Sequence, residues 1–153
     1  MKTIQIKIDS GKQGPAPQAP QNMNAVLPVA LWRGEPVNID VALFADASTV
    51  ATVTDVTEIK IDISPDAAHT TPEFTDTATV ANSQLDLSVT SGDWTAGTAR
   101  HARFPLAKGD IAPDMDGAEV RSMWLRLTML DDAEWVVLCN GPISVYEAGA
   151  WPV

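Results

Sequence analysis

The sequence predicts an all-β fold built from antiparallel strands, on three observations. Four runs alternate apolar and polar residues strictly: Val37-Ile39-Val41-Leu43, Ile59-Ile61-Ile63, Leu85-Leu87-Val89 and Met123-Leu125-Leu127-Met129. Side chains that change sides at each residue put one face of a strand into a core and the other into water. About eight short strand-like stretches separated by turn signals indicate a sandwich or barrel. No stretch has the spacing of a long amphipathic helix, and there is no internal repeat.

Thr3 to Ile8 reads as a first strand. Gly11 to Pro28 is rich in Gly, Gln and Asn and carries Pro15, Pro17, Pro20 and Pro28. Proline fixes φ and has no ladder donor, so this stretch is expected to be an extended connector, partly polyproline II. Connectors of that length tend to be functional or mobile. The expected organisation is an N-terminal strand and Pro-rich arm over residues 1–28, and a β-sandwich over 29–153. Removing residues 1–28 is then expected to leave a folded body.

In the body, Arg33-Gly34-Glu35-Pro36 is a turn that leads into a strand over 37–43. Asp46 to Asp55 is small and polar, as a hairpin loop or weak edge strand would be. A strand over 57–63 stops at Ser64-Pro65-Asp66, and 65–82, rich in Thr and Ala, is expected to be irregular. A strand over 84–89 leads into the turn-rich stretch from Ser91 to Thr98. Ala102 to Leu106 is the next strand, Lys108 to Gly117 is a loop with Pro113, and the last strands cover 121–130, 134–139 and 143–147.

If Leu130 to Ala133 forms the loop of the final hairpin, Met129 pairs with Glu134, Leu127 with Val136 and Leu125 with Leu138 on a core face. The opposite face then carries Thr128 with Trp135, Arg126 with Val137 and Trp124 with Cys139. Water is a poor neighbour for Trp124, Trp135 and Val137 together. Either another part of the chain covers this face, or it is a subunit interface or ligand platform. A three-residue loop would shift the register and void this pairing.

The chain has 153 residues, enough for one domain with a proper core. Its single cysteine, Cys139, excludes an internal disulfide framework and suits a reducing compartment. The first eight residues alternate like a strand and contain no apolar signal region. The uncharged stretch from Gln13 to Trp32 holds four prolines, which argues against a membrane span. Net charge is −10, a surface that repels nucleic acid. Residues 1–28 carry Lys2, Lys7 and Lys12 against Asp9 alone, so a basic arm is attached to an acidic body.

Catalytic chemistry finds little to use. His69 lies in the Thr-rich stretch and His101 between Arg100 and Arg103, with no nucleophile motif near either. Both are expected to be solvated loop or edge residues, and Cys139 a buried, inert thiol. Asp9-Ser10-Gly11 has the form of an aspartic-protease motif, but Lys12 follows where a small residue is needed; a strand and a turn account for it. Asp110, Asp114, Asp116 and Glu119 form an acidic loop. Aligned to a calcium-binding EF-hand, it would put Ala112 and Met123 at ligand positions. Asp40, Asp62 and Asp86 are expected to face outward on different strands. The tryptophans, Trp32, Trp94, Trp124, Trp135 and Trp151, would suit sugar stacking if two or three were exposed together, which makes a carbohydrate-binding module the second reading.

Leu31-Trp32-Arg33-Gly34-Glu35-Pro36 before an alternating strand resembles the start of immunoglobulin-like domains in tailed-phage baseplate and tail-fibre-attachment proteins. Asp93 to Thr98 before a strand is similar to the same group. So is the ending formed by Met123 to Leu127, Glu134 to Leu138 and Ile143 to Glu147. The resemblance spans about residues 29–149. It implies an immunoglobulin-like β-sandwich and a non-enzymatic virion subunit, made in the host cytoplasm, that works through oligomeric assembly. The implied partners are further copies and neighbouring virion proteins, with no nucleic acid, membrane, metal or cofactor. Ending at Val153, the chain is expected to be a connector or adaptor. The expected contacts are Ile4, Ile6, Ile8, Pro15, Pro17 and Pro20 on the arm, which would add a strand to a neighbour's sheet. On the hairpin they are Trp124, Arg126, Trp135 and Val137.

Overall fold

The structure is a computed structural model and describes residues 2–9, 30–46, 48–94, 96–107, 109–111 and 120–147. Its elements are β1 (Lys2–Asp9), β2 (Ala30–Trp32), β3 (Val37–Phe44), β4 (Val56–Ser64), β5 (Phe74–Ala78), β6 (Ala102–Leu106), β7 (Val120–Asp131) and β8 (Glu134–Tyr146). They form a three-stranded sheet in the order β1-β3-β6 and a five-stranded sheet in the order β2-β8-β7-β4-β5. There is no helix among the described residues.

The all-β class is as expected, but the sheets are mixed. β1 runs parallel to β3 and β2 parallel to β8, whereas the other pairs are antiparallel. Alternation decides which face of a strand is buried and is silent on its direction. Direction follows from the connection, and a parallel pair needs a long crossover.

The alternating runs supply one core shared by both sheets. Ile39, Val41 and Leu43 of β3 and Phe104 and Leu106 of β6 meet Ile59, Ile61 and Ile63 of β4 and Met123, Leu125 and Leu127 of β7. β1 belongs to this core. Ile6 and Ile8 are fully buried and Ile4 packs against the cluster, with Ile6 opposite Val41 and Ile8 opposite Leu43. The expectation of a detachable arm beginning at residue 1 is therefore corrected: residues 2–9 are a strand of the body. Ile6 and Ile8 are core residues of their own chain, because their alternation matches that of β3. Pro15, Pro17 and Pro20 lie outside the described residues.

Several boundaries also differ. Phe74–Ala78, expected to be irregular, is an edge strand: β-branched Thr75 and Thr77 suit the outer face, while Ala78 is buried opposite Ile59. Residues 84–89 are not a strand. Leu85 makes one bridge to Ala102, and Asp86 then accepts the Ser88 N–H at 3.0 Å and turns the chain away. The expected strands 134–139 and 143–147 are one strand, β8. Among the described residues β2 pairs with β8 only from Ser144 onward, so Pro142 lies before that pairing begins and its missing N–H removes none of those ladder bonds.

The hairpin register is corrected as well. Asp131 pairs with Glu134 across a two-residue turn, Asp132-Ala133, in which both residues have positive φ (48° and 64°). This is the turn whose twist matches that of the flanking strands. A bulge between Leu127 and Thr128 resets the pairing, so Leu127 faces Cys139 and Trp124 faces Pro142. Cys139 therefore sits on the core face, not beside Trp124.

Candidate functional site

The outer faces of the two sheets carry the polar groups. On the five-stranded sheet, Asp62 of β4 is 2% exposed although it points away from the core. Arg126 Nη2 donates to it at 2.8 Å, the Thr75 hydroxyl donates at 2.8 Å, and Lys60 Nζ stands 3.9 Å away. The segment after β4 folds over this face. His69 Nε2 bonds the Asn140 amide oxygen at 2.9 Å, and the Asn140 amide donates to the Ala67 carbonyl at 2.9 Å. His69 adopts φ 55° to reach that position. The chain thus covers the middle of its own second face. His69 Nδ1 and Arg126 Nε are buried there without a hydrogen-bond partner among the described residues.

The cover stops short of the hairpin tip. Trp135 is 53% exposed; its cross-strand neighbour Leu130 is half-buried, as are Val137 opposite Thr128 and Trp124 further down β7. The expected hairpin face therefore splits. Arg126 is committed to Asp62, whereas Trp135, exposed, and Val137 and Leu130, half-buried, form an apolar patch. Leu130 was missed because the four-residue loop placed it in the turn. Of the remaining tryptophans, Trp32 stacks on Tyr146 at 6.0 Å and Trp94 meets Phe44 edge-on at 6.0 Å; Trp151 lies outside the described residues.

The three-stranded sheet has its own outer cluster. Ala42 and Phe44 are buried with Val50 and Ala99 and flanked by Trp94, so the loop before β6 covers this end of the sheet. Lys7 Nζ lies 4.4 Å above the Phe44 ring. Beside it, Asp40 is 3% exposed and held in a bidentate pair by Arg103, at 2.7 and 2.8 Å. Asp40 and Asp62 do face outward, but both are buried beneath covering loops and ion pairs. Asp86 is exposed, and its carboxyl lies below the ordinary range through bonds from the Ser88 hydroxyl and backbone.

Both histidines are buried, contrary to expectation. His101 Nδ1 accepts the Leu43 N–H at 3.0 Å, so Nε2 is the protonated nitrogen and donates to the Ala51 carbonyl at 3.2 Å. The ring ties the end of β3 to the following segment, a role that local sequence does not reveal. Burial is the main cause that holds His101 and His69 below the ordinary imidazole value of 6.5. Below about pH 6.5 the unfolded chain therefore binds more protons than the folded one. Stability is fully present above that pH and is lost as pH falls through the lowered native values. Thermal melts should show a falling midpoint from pH 7.5 to pH 5, and His101→Gln should flatten that slope. An unchanged midpoint across this range would contradict the assignment.

Cys139 is buried as expected, with its thiol pushed up to about 12 mainly by desolvation. No group of three or more His, Cys, Asp or Glu side chains placed to hold a metal occurs among the described residues. Ser10, Gly11 and residues 112–119, and with them most of the protease-like motif and the acidic loop, lie outside those residues.

No family model matches the chain, and no curated protein matches it. Among solved structures, the N-terminal domain of phage TP901-1 ORF48 is similar at 9% identity and a TM-score of 0.37. The alignment covers 96% of this chain and 98% of that one. A likeness of that size assigns neither a fold family nor a function.

Proposed function

We propose that the chain is a non-enzymatic structural subunit of a phage virion, in the tail or baseplate or as a fibre-attachment adaptor, acting through oligomeric assembly. In this reading the two facing sheets are a variant of the immunoglobulin-like sandwich. The motifs around Trp32, Trp94 and Trp135 support the phage assignment by their resemblance to that group. The observation that carries the assembly reading is the apolar patch of Trp135, Leu130 and Val137 at the end of the β7–β8 hairpin. A half-exposed Trp at the centre of an apolar patch is the usual anchor of a protein interface. His101 and Cys139, the groups best suited to catalysis elsewhere, are taken up by structure here.

The assembly partners are further copies of the chain and neighbouring virion proteins. Light scattering on the full chain should give a mass several times that of one chain. Trp135→Ser should shift it toward the monomer while leaving the melting midpoint nearly unchanged, since the residue is half in water already. A monomer at every concentration, or an oligomer indifferent to Trp135→Ser, would remove the patch from the account.

A further inference from the structure

Three polar side chains stand in one row on the outer face of the five-stranded sheet. Asp62 of β4 is paired across the strands with Arg126 of β7, and Arg126 with Asn140 of β8. Residues 65–73 leave β4 and pass over this row before β5 begins. His69, 6% exposed, is the one buried residue of that segment. Asn140 ties the segment to β8 twice, through the His69 ring at 2.9 Å and the Ala67 carbonyl at 2.9 Å. Asp66 sets the turn that leads there, accepting the Ser64 hydroxyl at 3.0 Å and the Thr70 N–H at 3.2 Å. His69 itself holds a left-handed backbone, φ 55°, which costs energy in any residue but glycine. The segment is a strap fastened by one ring.

The hydrogen bonds fix which ring nitrogen carries the proton. The Asn140 amide nitrogen donates to Ala67, so its oxygen faces His69 and accepts from Nε2–H. Nδ1 is then the unprotonated nitrogen, buried and without a hydrogen-bond partner among the described residues. Arg126 Nε, a donor on a permanent cation, is in the same condition. A second proton on the ring would add an N–H with no acceptor in reach. The charged groups around the ring are Asp62 and Lys60 on β4, Arg126 on β7 and Asp66 on the strap. β5 contributes Thr75 and β8 Asn140, both neutral. Two anions are thus matched by two cations, and an imidazolium is the surplus charge in a place shielded from water.

We propose that residues 65–73 are a proton-released strap: uptake of a proton by His69 lifts the segment from β8 and uncovers the row beneath it. The imidazolium reaches water only if the strap lifts, and lifting takes the Ala67–Asn140 bond with it. The face exposed is the Asp62–Arg126–Asn140 row, which continues along β8 toward Val137 and Trp135. The device stands on the strap's own bonds and does not rest on the assembly reading.

NMR of the full-length protein between pH 7.5 and pH 5.5 tests it. At pH 7.5 the His69 ring should be protonated on Nε2 alone. On acidification the Asn140 side-chain amide should lose protection from hydrogen exchange, after correction for the intrinsic pH dependence of exchange, while backbone amides of β3 and β7 stay far better protected. The lifted ring has the ordinary imidazole value of about 6.5, so the strap should open about ten-fold more at the lower pH. His69→Gln should abolish this slope, whatever level of protection it sets, and His101→Gln should leave the slope in place. A change below about two-fold, protection of Asn140 equal to that of β3 and β7, or a slope that survives His69→Gln would overturn the proposal.

Discussion

A chain lacking residues 1–9 is expected not to fold. Ile6 and Ile8 are completely buried, and each contributes roughly 1.5–3 kcal/mol by leaving water. Removing β1 also strips the ladder from one side of β3 and exposes Ile39 and Val41 to solvent from that edge. The whole stability of a domain is about 5–15 kcal/mol, so the loss is of the same order as the total. The milder change Ile8→Ala should cost about 2–5 kcal/mol through the cavity it leaves. Circular dichroism and thermal melting of the truncated chain decide the matter. A cooperative melt within a few degrees of the full chain would mean that β1 is an accessory.

The second large effect is expected at Arg126. Replacing it with Met removes the 2.8 Å donor from a carboxylate that is 2% exposed, leaving Asp62 with the Thr75 hydroxyl and a lysine 3.9 Å away. Breaking one side of a buried pair costs about 3–5 kcal/mol, because the remaining charge stays desolvated. Thr75 and Lys60 hold the expected loss near the lower figure, about 3 kcal/mol or a drop of about 10 °C in midpoint. Changing Asp62 to Leu in the same chain should recover most of that loss, since an apolar pair has no charge to strand. Urea unfolding of the single and double variants measures both. A single variant within about 0.5 kcal/mol of wild type would place Asp62 in water.

How far the sequence was legible differs between core and site. The alternating runs at 37–43, 57–63 and 123–129 became β3, β4 and β7, with the anticipated residues inward. The run at 85–89 did not become a strand, because Asp86 is captured by Ser88 within two residues, and such local capture competes with a ladder. At the hairpin, the assignment of Trp124, Trp135 and Val137 to the non-core face survived although its register did not. The two-residue turn moved the pairing by two residues, which leaves Trp135 and Val137 on the same face, and the bulge at Leu127 moved it one further and brought Cys139 to the core face. The buried histidines and the Asp62–Arg126 and Asp40–Arg103 pairs join residues distant in the chain. No local pattern marks such partners.

By itself the sequence determined the all-β class and which side chains enter the core, because hydrophobic period is a property of consecutive residues. Only the tertiary structure decided that β1 is a core strand parallel to β3, that both sheets carry covering loops, and that Gln5, Asp40 and Arg103 stand in one row. Strand direction, sheet order and the partners of outward-facing groups depend on how distant segments return to one another. The free energy of those meetings comes from burial and pairing across the fold, on which the local alternation of residues places no constraint.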